Sequence, residues 1–219
     1  INPAFDDWQF PVETKYCVSP GDMAIALTRV VKALSEKLNQ EVSSHLSDLC
    51  AKISVDNHSI GIAESLISGR NCAVWLGNYA EQHKDGALIY SLAQEIARFS
   101  ESKLGVLGEA ANSVGGYIAG AVPLGKIEGK NVVQMLSSPL KAYILMNFEP
   151  ELDMMDGAAA LSTFKGAEMV AVLTAFKSKS ALDFADVLLP VAPFTETAGA
   201  FVNCEGRVQT FYPVVKNFG

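Results

Sequence analysis

The sequence predicts an α/β fold in which a mostly parallel sheet carries helices on both faces, a Rossmann-like arrangement. Short apolar runs alternate with segments of helical periodicity, and most of these runs are continuously apolar. Continuous apolar strands are typical of a parallel sheet buried on both faces. Alternation of strands and helices is typical of a doubly wound sheet. The predicted strands are 72–77, 103–108, 141–147, 168–174 and 186–192.

The region before the first strand is predicted to be an arm followed by helices. Residues 1–20 contain prolines and no periodicity, so we interpret them as an extended arm. The letters "SPGD" at 19–22 fit a capping box with Pro20 at the first helical position, and apolar residues at helical spacing continue to about 39. A polar, serine-rich stretch follows, and then a second helix over about 56–68 that ends at Gly69.

The remaining helices lie between the predicted strands, and the chain ends in a hairpin. The helix after the first predicted strand carries four apolar residues on one face, Leu88, Leu92, Ile96 and Phe99. We assign the bend of the C-terminal hairpin to Gly199. Residues 21–219 are predicted to form one α/β domain, in which 21–70 can be a helical sub-region. The other predicted segments are helices over about 114–120, 131–136, 157–164 and 180–185 and a loop over 120–129.

Composition excludes several classes of protein. The 219 residues are 49% apolar with a formal charge of −7, which is typical of a globular chain and does not favour a nucleic-acid surface. The apolar runs are too short to span a bilayer, so we expect no direct membrane insertion. The opening "INPAFDDWQFP" lacks the features of a signal peptide. We therefore interpret the chain as an internal segment of a longer protein.

Cysteine and histidine spacing predicts no metal site in this chain. Iron–sulfur and structural zinc sites usually take two ligands that are close in sequence, and neither C-x-x-C nor H-x-x-x-H occurs. We expect the four cysteines to be lone thiols that are buried as small hydrophobic side chains, in a reducing compartment. The residues concerned are Cys17, Cys50, Cys72, Cys204, His45, His58 and His83.

Three short motifs resemble catalytic or nucleotide-binding patterns without completing them. "GAVPLGKI" at 120–127 approaches a phosphate-binding loop, but Ile127 replaces the hydroxyl residue and Pro123 lacks an N–H. The G-x-G-x-x-G pattern is missing, so NADH binding is not predicted for this chain. Glu196 and Glu205 flank Gly199, so one interpretation is a catalytic carboxylate pair that meets across the hairpin. No His lies nearby in sequence and no G-x-S-x-G occurs, so we instead interpret both as solvated groups or as partners of an Arg such as Arg207.

The segment "ADVLLPVAPFTETAGAFVNCEGRVQ" resembles the molybdopterin oxidoreductase superfamily, in particular the branch formed by the G chain of bacterial NADH–quinone oxidoreductase (respiratory complex I). "WLGNYAEQHKDG", "EAANSVGGYIAGAVP" and "YILMNFEPELD" support the resemblance, which covers about 72–211. It implies α/β domains that hold a pterin–guanine dinucleotide. It also implies a separate N-terminal iron–sulfur region, so the parent protein would carry [2Fe-2S] and [4Fe-4S] clusters. The implied partners are other subunits of the complex I peripheral arm, on the cytoplasmic side of the bacterial inner membrane.

Two departures from the family pattern predict that cofactor binding has been lost. The G-x-N-P pattern is replaced by 146–150, where the glycine is missing and Glu149 precedes the proline. Ala175 stands where an acid is expected to read the guanine. We therefore expect a scaffold domain without catalytic residues, cofactor or metal. The candidates for lining a vestigial cleft are Asn112, Asn147, Asp186, Asn203 and Arg207.

The alternative is a cofactor-binding fragment of a molybdopterin-dependent oxidoreductase such as a formate dehydrogenase. In that case the same five residues would line a working cleft, and a Cys, selenocysteine or Ser ligand for molybdenum would precede residue 1. The interpretations differ at Arg207, which is either a diphosphate ligand or a brace for Glu196 or Glu205. A partly buried brace would contribute about 1–3 kcal/mol to stability.

Overall fold

The computed structural model describes residues 1–123 and 129–216. The chain divides into two units, Ile1–Ala110 and Ala111–Gly219. The predicted domain over 21–219 therefore includes parts of both units. Each unit contains its own parallel strands and its own apolar core.

The first unit begins with the extended arm and three helices. Pro20–Asp22 is a 3₁₀ turn that leads into α1, Met23–Leu38. The predicted capping box does not form, because the Ser19 hydroxyl donates to the Asp22 carboxylate at 2.7 Å instead of capping a backbone N–H. α2, Ser44–Ala51, lies in the serine-rich stretch and was not predicted. α3, Asn57–Ser68, ends at Gly69 as expected and begins with a capping box.

Two parallel strands complete the first unit. β1, Ala73–Leu76, pairs with β2, Lys103–Val106. The connection between them contains α4, Asn78–Glu81, and α5, Gly86–Phe99. The core forms where α1 packs against α3 and α5, and where α5 packs against β1. Its fully buried side chains include Val30, Val31, Leu34, Leu46, Ile89 and Leu92.

The second unit contains a parallel sheet in the order β3-β4-β5. It follows two short helices, and further helices connect its strands, so the predicted α/β fold class is confirmed. The elements are α6 (Ser113–Ile118), α7 (Val132–Ser137), β3 (Ala142–Met146), α8 (Pro150–Asp153), α9 (Gly157–Lys165), β4 (Met169–Thr174), α10 (Lys179–Phe184) and β5 (Val187–Pro190).

The helices of the second unit pack on one face of its sheet. Side chains of α7, α9 and α10 meet Tyr143, Val170 and Val172 in the core. The sequence predicts cover on both faces, but Ile144 and Met146, which point to the other face, are exposed. An apolar strand sequence is compatible with burial of either face, so the packed helices decide which face is buried.

The C-terminal hairpin is present, but its bend lies at a different residue from the predicted one. β6, Gly199–Val202, pairs antiparallel with β7, Val208–Phe211. Gly199 lies inside the ladder opposite Phe211, and a Cβ there would lie 2.6 Å from the Phe211 ring. The bend occupies the residues between the strands, where Gly206 has a φ of +80°. The assignment of the bend to Gly199 is therefore wrong, because that glycine makes room for an aromatic ring.

Candidate functional site

The carboxyl ends of β3, β4 and β5 form the edge where parallel α/β sheets usually bind ligands. Asn147 directly follows β3 and adopts a left-handed φ of +47°. Its backbone N–H donates to the carbonyl of Leu173 in β4 at 2.8 Å, so the residue continues the ladder by one bond. The structure thus places Asn147 at the expected edge, in a turn held by the neighbouring strand.

The turn after β3 uses its own acids as hydrogen-bond acceptors. The backbone N–H of Glu149 donates to Asp153 Oδ2 at 2.7 Å. At the start of α9, the N–H of Ala159 donates to Asp156 Oδ1 at 2.9 Å. Free N–H groups of this kind are what a phosphate requires from a turn or a helix start. Here carboxylates of the chain already accept from both of them.

Charge in the same segment is predominantly negative. Glu149 and Glu151 stand beside Asp153 and Asp156, so four carboxylates occur over 149–156 without an intervening base. The Ser180 hydroxyl at the start of α10 donates to Glu151. A diphosphate brought to this segment would meet charges of its own sign.

The turn after β4 is also closed by internal hydrogen bonds. The N–H of Phe176 donates to the Thr174 hydroxyl at 3.1 Å, and the N–H of Ala181 donates to the Ser178 hydroxyl at 3.1 Å. Ala175, between these groups, offers only a methyl group. The arrangement supplies no carboxylate at this position to read a guanine base.

Asp186 lies at the opposite end of the sheet from Asn147. It immediately precedes β5, and its Oδ2 accepts from the backbone N–H of Val170 in β4 at 2.7 Å. Its own N–H donates to the Val170 carbonyl at 2.9 Å. Because the strands are parallel, these contacts lie where β4 and β5 begin, and Asp186 joins the two strands there.

Asn203 and Arg207 belong to the C-terminal hairpin, and Asn112 contacts it. All three residues are distant in sequence from the turn that contains Asn147. Asn112 Oδ1 accepts from the N–H of Val202 in β6 at 2.8 Å. Asn203 Oδ1 accepts from the N–H groups of Glu205 at 3.0 Å and Arg207 at 2.9 Å, which shapes the bend. Both Asn side chains therefore hold backbone in place.

Arg207 forms a loose ion pair with the nearer of its two predicted partners. Its Nη2 lies 3.7 Å from Glu205 Oε2, and the side chains are 71% and 69% exposed. Glu196 belongs to a 3₁₀ turn before β6, whereas Glu205 follows β6, so the two lie at opposite ends of that strand. The alternative of a carboxylate pair across the hairpin required a bend at Gly199 and does not form, and Glu205 is instead an exposed partner of Arg207.

A buried carboxylate in the first unit was missed by the sequence reasoning. Glu95 of α5 accepts from the Ser43 N–H at 2.7 Å and from the Ser43 hydroxyl at 2.9 Å. Two nitrogens of Arg98 donate to it, at 3.0 and 2.8 Å. The hydrogen bonds from Arg98, followed by those from Ser43, hold the pKa of Glu95 at about 2. The spacing of Glu95 and Arg98 suggests a pair, but the contact with Ser43 is visible only in the fold.

A second polar cluster holds the arm against the helices. The Tyr16 hydroxyl donates to Asp56 Oδ2, and Arg29 donates to both at 2.8 and 2.9 Å. Asp56 also caps α3 by accepting from the Ser59 N–H at 2.8 Å. Burial alone would raise the pKa of Asp56, but the hydrogen bonds from Tyr16 and Ser59 outweigh it and lower that pKa. The cluster therefore joins the arm, α1 and the start of α3.

The prediction that the cysteines are buried is wrong for Cys17 and Cys204, which are exposed, whereas Cys50 is buried.

Three further predictions concern membrane insertion, metal binding and the loop over 120–129. None of the helices within residues 1–123 and 129–216 is long and apolar enough to cross a membrane. In the same ranges no three His, Cys, Asp or Glu side chains are arranged to hold a metal ion. Residues 124–128 of the "GAVPLGKI" motif lie outside the described residues.

Comparison with known proteins assigns the family. The chain is 39% identical over 77 residues to the G subunit of NADH-quinone oxidoreductase from Mycobacterium bovis, and equally to that from Mycobacterium tuberculosis. Each match covers 35% of this chain and 9% of the relative. A family model described as molybdopterin oxidoreductase matches residues 24–219, which is most of the chain. The chain therefore belongs to the molybdopterin oxidoreductase family.

Proposed function

We propose that the chain is a scaffold domain of the G chain of an NADH–quinone oxidoreductase and does not bind a pterin–guanine dinucleotide. The observation that carries the proposal is the turn after β3, where Asp153 accepts the Glu149 N–H at 2.7 Å. The backbone N–H of this turn is thus already hydrogen-bonded to a carboxylate of the chain. The turn lies at the sheet edge where the family resemblance implies a nucleotide.

The chemistry of the edge does not fit a diphosphate. A phosphate would have to displace Asp153 from the Glu149 N–H and would then lie among the four carboxylates of 149–156. Displacing a charge-assisted hydrogen bond and adding like charge are both unfavourable. Asp186, Asn112 and Asn203 hold backbone N–H groups instead of lining this edge. The remaining candidate, Arg207, pairs with Glu205 at the hairpin.

The assignment to the G chain rests on the two mycobacterial relatives. In this proposal the parent protein carries [2Fe-2S] and [4Fe-4S] clusters in another region. The parent complex transfers electrons from NADH to quinone, coupled to proton translocation. This chain supports the cluster-bearing region and neighbouring subunits of the peripheral arm, on the cytoplasmic side of the inner membrane.

Calorimetry with guanosine diphosphate tests the loss of cofactor binding. We expect no heat of binding up to about millimolar nucleotide, equivalent to a binding free energy weaker than about −4 kcal/mol. Asp153→Asn weakens the competing acceptor and should also leave binding undetectable, because three carboxylates remain. A micromolar dissociation constant for the wild type would contradict the proposal and favour the formate-dehydrogenase alternative.

Purification of the tagged parent protein from its own membranes tests the assignment to an NADH–quinone oxidoreductase. We expect other subunits of that complex and iron to co-purify, with far less than one molybdenum per chain by elemental analysis. Stoichiometric molybdenum, or a preparation without those other subunits, would contradict the assignment. The two measurements are independent: the molybdenum content tests for the cofactor, and the co-purified subunits test membership of the complex.

A further inference from the structure

The His83 ring joins the turn before α5 to the start of α1. His83 lies between α4 and α5, and its side chain is only 6% exposed. The ring Nε2 is 2.8 Å from the carbonyl oxygen of Pro20, in the 3₁₀ turn that leads into α1. The ring Nδ1 is 2.9 Å from the backbone nitrogen of Asp85, the residue that precedes α5. Each ring nitrogen therefore has a backbone partner.

These two partners specify one form of the ring. A carbonyl oxygen can only accept a hydrogen bond, so Nε2 must carry a proton. A backbone N–H can only donate, so Nδ1 must be unprotonated. The contacts thus require a neutral imidazole with its proton on Nε2. A second proton, on Nδ1, would point at the Asp85 N–H, so a charged ring can keep the contact with Pro20 but not the contact with that N–H.

A carboxylate lies beside the nitrogen that would gain the proton. Asp85 Oδ2 is 3.8 Å from Nδ1, which is too far for a hydrogen bond but close enough to favour a charged ring. The Asp85 side chain is 46% exposed and does not cap α5, so it can turn toward the ring. Asp85 therefore offers Nδ1 two partners, a backbone donor and a carboxylate acceptor.

The segments around the ring carry other charged groups, namely those of Asp22, Glu81, Lys84 and Glu109. The Asp22 carboxylate accepts from the Ser19 hydroxyl at 2.7 Å, and the Glu109 carboxylate accepts from the side-chain amide of Gln82. The first turn of α5 has no charged side chain. Within residues 1–123 and 129–216, Asp85 is the only residue that forms an ion-pair contact with the His83 ring. Its carboxylate is thus the acceptor available to a protonated Nδ1.

We propose that protonation of His83 switches the partner of Nδ1 from the Asp85 N–H to the Asp85 carboxylate, which makes the turn before α5 sensitive to pH. Histidine is the side chain whose charge ordinarily changes between about pH 5 and 8. In the neutral state the ring accepts from the backbone of Asp85. In the charged state the ring donates to the Asp85 side chain, and the Asp85 N–H loses its acceptor. The contact with Pro20 persists, because Nε2 donates in both states.

The switch acts on the residues that begin α5. The Gly86 N–H donates to the His83 carbonyl at 2.9 Å, and the Ile89 N–H donates to the Asp85 carbonyl at 3.0 Å. A change at Asp85 is therefore transmitted to the turn over 83–86 and to the first turn of the helix. The proposal is independent of the proposed function, because its contacts belong to the first unit and involve no cofactor.

A pH titration by NMR of the isotope-labelled full chain tests the proposal. At about pH 8 we expect the ring-nitrogen signals of His83 to show a proton on Nε2 and none on Nδ1. As the pH falls to about 5, the Asp85 amide signal should shift together with the ring signals. The Gly21 amide, which follows the Pro20 carbonyl, should shift much less, because the contact with Nε2 persists.

Three variants separate His83 from the other titrating groups. His83→Gln removes the titrating ring, so the Asp85 amide signal should stay unchanged over this pH range. The matched control is His45→Gln, an exposed position of α2, which should leave the shift of the Asp85 amide intact. Asp85→Asn keeps the backbone N–H and removes the charge, so the midpoint of the His83 transition should move to lower pH by at least about half a unit.

Four results would overturn the proposal. A neutral ring with its proton on Nδ1 would contradict the starting contacts. An Asp85 amide that does not follow the ring, or that shifts equally in His83→Gln, would show that the turn does not respond to His83. An unchanged midpoint in Asp85→Asn would show that the carboxylate is not the partner of the charged ring.

Discussion

Removal of the charge on Glu95 should lower the free energy of unfolding by about 2–3 kcal/mol at neutral pH. The side chain is 5% exposed and accepts hydrogen bonds from Ser43 and Arg98. A pKa lowered from 4.5 to about 2 corresponds to about 3 kcal/mol, at about 1.36 kcal/mol per unit. Arg98 is 47% exposed, so solvent screens part of its interaction with Glu95. The expected loss of unfolding free energy therefore extends down to about 2 kcal/mol.

The pH dependence follows from the direction of the pKa shift. Because the folded-state pKa of Glu95 is below its ordinary value, the stabilisation is complete above about pH 5 and is lost as the pH falls toward about 2. By about pH 3 the contribution should have fallen by roughly half. The difference in unfolding free energy between wild type and Glu95→Gln should therefore decrease over this range.

Urea unfolding of both proteins at several pH values measures this difference. The control is Glu64→Gln, which removes an exposed ion pair with Lys37 (2.7 Å between Oε1 and Nζ) and should cost less than about 1 kcal/mol. A wild-type–Glu95→Gln difference that is the same at neutral pH and at about pH 3.5, or no larger than that of Glu64→Gln, would refute the reasoning.

Three further substitutions test the hairpin and the sheet by thermal and urea unfolding. Arg207→Ala should lower the unfolding free energy by less than about 0.5 kcal/mol, because its ion pair with Glu205 is exposed. Gly206→Ala should cost about 1 kcal/mol, because its φ of +80° is strained for a residue with a Cβ. Asp186→Ala should cost about 1–3 kcal/mol, because it leaves a buried N–H of β4 without its acceptor.

The following results would contradict these expectations. A loss above about 1.5 kcal/mol in Arg207→Ala would mean that the side chain braces the hairpin after all. Gly116→Ala is the control for Gly206→Ala, because a Cβ at Gly116 meets open space within α6 and should stabilise the helix by about 0.5–1 kcal/mol. Equal effects of the two glycine substitutions would mean that φ is not the cause. An unchanged melt for Asp186→Ala would mean that its hydrogen bond to β4 contributes nothing.

Local patterns in the sequence were sufficient to predict most strands and several helix ends. Apolar runs flanked by glycine correspond to β1 and β2, and the helix predicted over about 56–68 begins at its Asp56 cap and ends at Gly69. The position of Asn147 at the end of β3 also follows from order along the chain. These features depend on residues within a few positions of one another, and such information is present in the sequence itself.

The tertiary structure alone decided which groups meet. α2 was missed because its sequence is polar and serine-rich, and burial of Leu46 and Cys50 stabilises it. Glu95 meets a backbone N–H 52 residues away in sequence. Asp186 points to the start of β4 because parallel pairing sets its register. Contacts between distant segments arise when apolar surfaces pack and fix the register of the strands, so no local pattern specifies them.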